Sequence, residues 1–195
     1  MSDVSLSNGP GPSPSPRPVR ADARRNMEAI LDAAREELIA DPRAGLARIA
    51  ERAGVHRATL HRHFSTREDL ISACYRAYLE EVAQALHPDL EADPMVELER
   101  FTRQVYATNI RWQAWLWGPM LPPELHEIRW RMAETLEQML GPAQAAGRVR
   151  GDMTLEELRV AWGGPIQLLA SMVVARRWSL DEAVDFTMRL LLPPR

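Results

Sequence analysis

The chain contains no lysine: all 24 of its basic residues are arginine. Arginine's planar fork suits bidentate contacts, but an absence this complete follows genome composition more simply than function. What matters is where the arginines fall. Cysteine is nearly absent too. With Cys74 alone, no internal disulfide is possible and a reducing compartment fits; set mid-helix among apolar residues, it reads as core filling. No apolar run reaches the length of a membrane span, and the N-terminus lacks the apolar core of a secretion signal. A cytoplasmic protein without a membrane partner is therefore expected. Strand alternation, internal repeats, a Gly-rich phosphate loop and a Ser/His/Asp order are missing as well. The carboxylates fall mostly at helix caps or on helix faces turned to solvent, so neither an enzyme nor a cofactor site is expected.

What is present is a chain of 195 residues, 46% apolar, large enough for one big domain or two small ones. The net charge of −3 conceals a division. Residues 17–67 hold 11 arginines against 7 acids, and residues 68–195 hold 13 against 19. The first part suits phosphate and the second does not. Residues 1–20, with five prolines among Ser and Gly, read as a disordered tail. Beyond it every segment reads as helix, about nine in all, giving an all-α fold.

Met27, Ile30, Leu31, Ala34 and Leu38 keep helical spacing over about four turns, ended by Asp41-Pro42. Leu46 to Ala53 is a second helix closed by Gly54, and His56 to Arg62 a third. Ser65-x-x-Glu68 reads as a capping box opening a fourth that runs to His87-Pro88. Asp93-Pro94 starts the next helix, and Thr154-x-x-Glu157 and Ser179-x-x-Glu182 are further capping boxes. Gly118-Pro119 and Pro122-Pro123 break the chain between them.

The stretch LARIAERAGVHRATLHRHFSTR, 46–67, carries the most information. Two short helices meet at a tight turn, which is the layout of a helix-turn-helix whose second helix enters the DNA major groove. Ala50 is small where the pair must approach, and Gly54 can take the left-handed turn. Val55, Leu60 and Phe64 supply apolar anchors. Arg57, Ala58 and His61 then lie on the opposite, exposed face. Arg57 can hold guanine by two hydrogen bonds, and Ala58 permits close approach to a thymine methyl. His56, Thr59, His61, Arg62 and His63 complete the DNA-facing set, with Arg67 at the start of the next helix and Arg24 and Arg25 as an arm beside the groove. A metal site on these histidines is disfavoured. His61 and His63 diverge on a helix, and no carboxylate or cysteine stands nearby in sequence. The alternative is a helical hairpin buried in a bundle, for which exposed Arg and His at these offsets serve no purpose.

At Ile49-Ala50, Ala53-Gly54-Val55, Thr59-Leu60-His61-Arg62-His63-Phe64 and Arg67 the sequence resembles the tetracycline-repressor (TetR) family of bacterial regulators. The resemblance implies an N-terminal three-helix DNA-binding domain (21–66) and a C-terminal domain (67–195) that binds a small molecule and forms a homodimer on a palindromic operator. Two departures stand out. His56 replaces the family's Ser or Thr, which cap helices better, and His61 replaces its usual Tyr, which makes that phosphate contact open to pH.

All six tryptophans lie beyond residue 111. Trp112, Trp115 and Trp117 precede a helix break, where large aromatics suit an apolar pocket. With Phe101, Val105, Met132 and Met172 they are the candidate lining for a small apolar or aromatic effector, although each also reads as core. Trp130 falls off its helix's apolar stripe, either exposed or covered by another segment. Near the C-terminus, one stripe (Leu158, Trp162, Ile166, Leu169) and a second (Ala161, Leu168, Met172, Ala175) leave a helix apolar on two sides, bent at Pro165; the final helix is similar, with Val184 and Leu191. Burial on two sides points to a dimer interface through Leu158, Trp162, Ile166, Leu169, Val184 and Leu191. The remaining alternatives are a helical protein-binding adaptor without DNA activity and a small all-α enzyme.

Overall fold

The computed structural model describes residues 17–85, 92–113 and 126–194. Nine α-helices and no strand occur among them: α1 Arg17–Ala40, α2 Leu46–Arg52, α3 Arg57–His63, α4 Arg67–Ala85, α5 Pro94–Trp112, α6 His126–Ala145, α7 Leu155–Gly163, α8 Ile166–Val174 and α9 Leu180–Leu191. The boundaries follow local chemistry. Asp93 accepts from the Met95 N–H at 2.8 Å with Pro94 in the first turn, and Thr154/Glu157 and Ser179/Glu182 close both arms of their capping boxes. Three expectations are corrected. α1 begins at Arg17, inside the segment read as tail, and runs 24 residues. The cap of α4 is Thr66 with Asp69, whose side chains answer each other's backbone N–H at 3.0 and 2.8 Å, rather than Ser65 with Glu68. Pro165 does not bend one helix but separates α7 from α8, because it can neither donate to the ladder nor clear the carbonyl a turn earlier. The breaks read at His87-Pro88, Gly118-Pro119 and Pro122-Pro123 lie outside the described residues.

Two cores form. The first joins α1 to α4 through Ile30, Leu38, Ile49, Leu60, Phe64, Leu70, Cys74 and Leu79, with Trp112 reaching in from α5. The second joins α5 to α9 and takes in Val82 of α4. α5 is its axis, packing against α4, α6, α8 and α9. The inward positions of α5 (Leu98, Phe101, Thr102, Val105, Tyr106, Thr108, Asn109, Trp112) recur at three- and four-residue spacing, so one stripe is buried along its whole length. Tyr78 and Met132 pack against both cores. α4 thus leaves the first core, the head of the molecule, and enters the second without a break. No helix among the described residues is long and apolar enough to cross a membrane.

Candidate nucleic-acid interface

The turn between α2 and α3 rests on Gly54, whose φ of +67° lies in the left-handed region. Its N–H donates to Glu51 O, and the Val55 N–H donates to Ala50 O, both at 3.1 Å, satisfying the last carbonyls of α2. A Cβ at Gly54 would meet nothing within 4 Å, so backbone conformation alone selects glycine here. Behind the turn, Leu60 and Ile49 are fully buried and Ala50 and Phe64 nearly so. Truncating a leucine in such a site costs about 2–5 kcal/mol, which locks the orientation of α3. His56 is the N-cap of α3 and makes no side-chain capping bond, in keeping with the departure noted in the sequence.

With Leu60 turned inward, the other side of α3 faces solvent. His56, Arg57, Ala58, His61 and Arg62 are exposed, and Thr59 and His63 are half-buried. Most of the head's other arginines are already neutralised. Arg52 pairs with Glu36 at 3.0 Å and Glu37 at 3.3 Å, Arg48 pairs with Glu37, and Arg35 pairs with Asp32 at 3.6 Å. The Arg48 and Arg52 pairs fasten α2 to α1, and the Arg35 pair stays within α1. Arg57 and Arg62 enter no ion pair among the described residues, and the one side-chain bond of Arg57 is a long 3.4 Å contact to His61 Nε2. Arg57 and Arg62 on the outward side of α3 and Arg43 in the α1–α2 loop are thus exposed arginines of the head without an ion pair among the described residues.

Three other predicted contacts are placed differently. Arg67 does not point freely outward. Its guanidinium donates to Ala44 O at 3.2 Å and to Pro42 O, tying the α1–α2 loop to the start of α4. Arg24 and Arg25 are exposed but paired along their own helix, with Glu28 at 3.5 Å and with Asp22 respectively. A short helix presenting unpaired cations, held by a neighbour at a fixed angle, can insert into a groove as wide as a helix.

Residues 30–74 match the model of the bacterial regulatory proteins of the tetR family. The match spans α2 and α3 with parts of α1 and α4, 45 of the 195 residues, so the chain resembles this family over its helix-turn-helix segment. Solved TetR-family structures share the fold of the whole. LfrR from Mycobacterium smegmatis, in complex with proflavine, is 24% identical with a TM-score of 0.69, over 86% of this chain and 94% of that one. A TetR-family regulator from Marinobacter aquaeolei VT8 is 17% identical with a TM-score of 0.65, over 90% and 99%. RolR, in complex with resorcinol, is 19% identical with a TM-score of 0.56, over 89% and 91%. No curated protein matches the chain in sequence.

The residues read as effector lining are dispersed. Phe101 stacks on Trp162 with ring centroids 5.3 Å apart and, like Val105, is buried in the second core. Met172 is half-buried against that core, and Met132 lies between the two. Trp115 and Trp117 lie outside the described residues. Trp112 sits at the seam. Its indole Nε1 donates to Glu81 Oε2 at 2.7 Å, its ring meets Tyr78 edge-on at 6.5 Å, and Arg111 also pairs with Glu81. Thr108 donates to the other Glu81 oxygen at 3.3 Å, and Arg35 of α1 reaches Arg111 O at 3.5 Å. Glu81 thus binds α4 to the end of α5, beside the head. Sequence reading missed it because it looks like one more solvated helix carboxylate; its only signal is its place one turn beyond Tyr78. Burial pushes the Tyr78 hydroxyl up to about 12, so it stays a neutral phenol. Among the described residues no group of His, Cys, Asp or Glu is placed to hold a metal ion.

The residues read as a dimer interface lie inward. Leu158, Trp162, Ile166, Leu169, Val184 and Leu191 are all buried within this chain, and Trp162 donates to Thr102 Oγ1 at 2.8 Å. Of the second stripe, Leu168 and Ala175 face outward, while Ala161 and Met172 are half-buried against the second core. Val160 and Leu168 are 64% and 65% exposed, with Gly163, Gly164 and Ala175 exposed beside them. Trp130 is 60% exposed, with the Arg159 guanidinium over its ring at 5.7 Å.

Proposed function

We propose that this chain is a homodimeric transcriptional repressor that sets α3 of each subunit into successive major grooves of a palindromic operator and lets go when a small aromatic effector binds. The observation that carries the reading is the outward side of α3, where Arg57 and Arg62 stand without ion pairs on a helix fixed by Leu60 and Gly54. Arg57 reads a base edge, and Arg62, His61 and Thr59 hold phosphates. The exposed stripe of Val160 and Leu168, with the glycines that allow close approach, is the face on which two copies pair. An effector favouring one spacing of the two heads over the other shifts the population away from the DNA-binding form. LfrR and RolR, of the same fold, are each seen with an aromatic compound. The protein acts in the bacterial cytoplasm, where its operator is.

The test is a titration of a palindromic fragment from upstream of the protein's own gene, at several salt concentrations, against the same fragment with one half-site scrambled. Specific binding that weakens steeply with salt and needs both half-sites is expected. Equal affinity for intact and scrambled fragments removes the operator reading. Capture of a protein partner through the Trp130 face, with no DNA binding at all, favours the adaptor instead.

A further inference from the structure

Besides the continuous helix α4, the head meets the end of α5 through a ring and a hydrogen bond. The ring is Trp112, which closes α5 and is buried in the first core. The bond comes from α1, whose half-buried Arg35 guanidinium donates to Arg111 O at 3.5 Å. That carbonyl belongs to the last turn of α5, where the helix supplies no donor and a cation is favoured. α1 packs broadly on α2 and α4 rather than on α5, so these two contacts weigh heavily in how the head sits. The thioether of Met132 also touches both cores, but an unbranched, adaptable side chain fixes no direction. One carboxylate sets both contacts. Glu81 Oε2 accepts from Trp112 Nε1 at 2.7 Å and pairs with Arg111, and its Oε1 accepts from Thr108 at 3.3 Å. The helix stops just beyond. Gln113 takes a left-handed φ of +47°, which residues other than glycine seldom adopt, while its N–H donates to Asn109 O at 2.7 Å. A rod such as α4, held along its length on one side only, can swing and twist; a fixing off its axis stops both.

We propose that Glu81 is a positioning residue, which holds the end of α5 as an off-axis stop and so sets the angle of the head, and with it the direction in which α3 faces. The stop is a property of the folded chain. Only its use, to bring two copies of α3 to one spacing, rests on the regulator reading. With the stop broken, α3 keeps its own fixings at Leu60 and Gly54, but the head holds the right angle for only part of the time. Apparent affinity for a two-site operator falls by that fraction, about tenfold if the right angle is held a tenth of the time.

Glu81→Gln keeps the length of the side chain and an acceptor for one donor, but removes the charge that holds Arg111. Arg35→Met removes the bond from the α1 side and carries the test if the first variant does not fold. Spin labels on Glu51→Cys in α2 and Gly151→Cys in the α6–α7 loop, both exposed, report the head-to-body distance by pulsed dipolar spectroscopy. The full chain is measured without DNA, diluted in unlabelled chain so that one protomer is read; buried Cys74 takes no label. Thr187→Val, which loosens the second core away from this seam, controls for stability alone. One narrow distance is expected in the parent and the control, and a broadened or displaced one in the seam variants. Operator binding by Glu81→Gln should be about tenfold weaker at an unchanged salt slope, since no phosphate contact is lost. A broad distance already in the parent, an unchanged distance in the seam variants, equal broadening in Thr187→Val, or parental operator affinity in Glu81→Gln overturns the inference. If the distances change as expected and the parent binds no operator, the stop stands and the regulator reading falls.

Discussion

Arg57 and Arg67 look alike in the sequence, one opening α3 and one opening α4, yet only Arg67 is tied down by the chain's own carbonyls. In the free protein Arg57 has one exposed contact, its Nε to His61 Nε2 at 3.4 Å, longer than an ordinary hydrogen bond. Replacing it by alanine removes almost nothing from the fold, so stability should stay within about 0.5 kcal/mol of the parent. On the proposed operator the same change should remove a bidentate base contact worth about 1–3 kcal/mol per half-site, roughly tenfold or more in affinity. Arg67 holds two backbone carbonyls, Ala44 O at 3.2 Å and Pro42 O, from a half-buried position. Charge-assisted bonds of this kind, discounted for partial exposure, make Arg67→Ala cost about 1–2 kcal/mol, or about 2–8 °C in Tm for a chain this long. Urea melts and fluorescence anisotropy on a labelled operator, run on both variants at one salt concentration, separate the two. Arg67→Ala should bind DNA nearly normally where it is still folded. An Arg67→Ala protein with unchanged melting and lost DNA binding, or an Arg57→Ala protein that melts early, refutes the assignment.

Tyr106 OH and Thr187 Oγ1 meet at 2.6 Å in the core, and Thr187 also donates to Ala183 O at 3.0 Å. Tyr106→Phe leaves the threonine hydroxyl satisfied and should cost about 1 kcal/mol; Thr187→Val strands the phenol and should cost about 1–3 kcal/mol. The double variant should cost less than the sum; additivity in urea melts would mean the pair is not coupled. Burial pushes the Cys74 thiol up to about 12, and Tyr78 likewise. The folded protein therefore keeps protons that the unfolded chain releases first, from about pH 9 upward. Stability should be full below that and fall as pH climbs toward about 12, and a urea midpoint that stays level across that range would contradict it. Leu168→Glu puts a charge on the exposed side of α8 without touching the chain's own core and should turn a dimer into a folded monomer in analytical ultracentrifugation; an unshifted dimer places the interface elsewhere.

The sequence by itself determined the helix-turn-helix, because every signal for it is local. Gly54 has one conformation to offer, Leu60 and Phe64 sit a turn apart, and the polar residues of α3 have no inward side left to occupy. It determined the caps at Asp93, Thr154 and Ser179 for the same reason, since each bond closes within three residues. It did not determine which of two apolar stripes a helix spends on its own chain. Leu158, Trp162 and Ile166 looked as fit for a partner as Leu168 and Ala175, and only the packing of α5, α7 and α9 decided that the first set is interior. Nor did it distinguish Arg67 from Arg57, because the carbonyls that claim Arg67 belong to a loop more than 20 residues earlier in the chain. Glu81 was invisible for that reason as well. A carboxylate on a helix becomes a tether only through what a second helix sets against it, and side-chain spacing along one helix does not say which helix that will be.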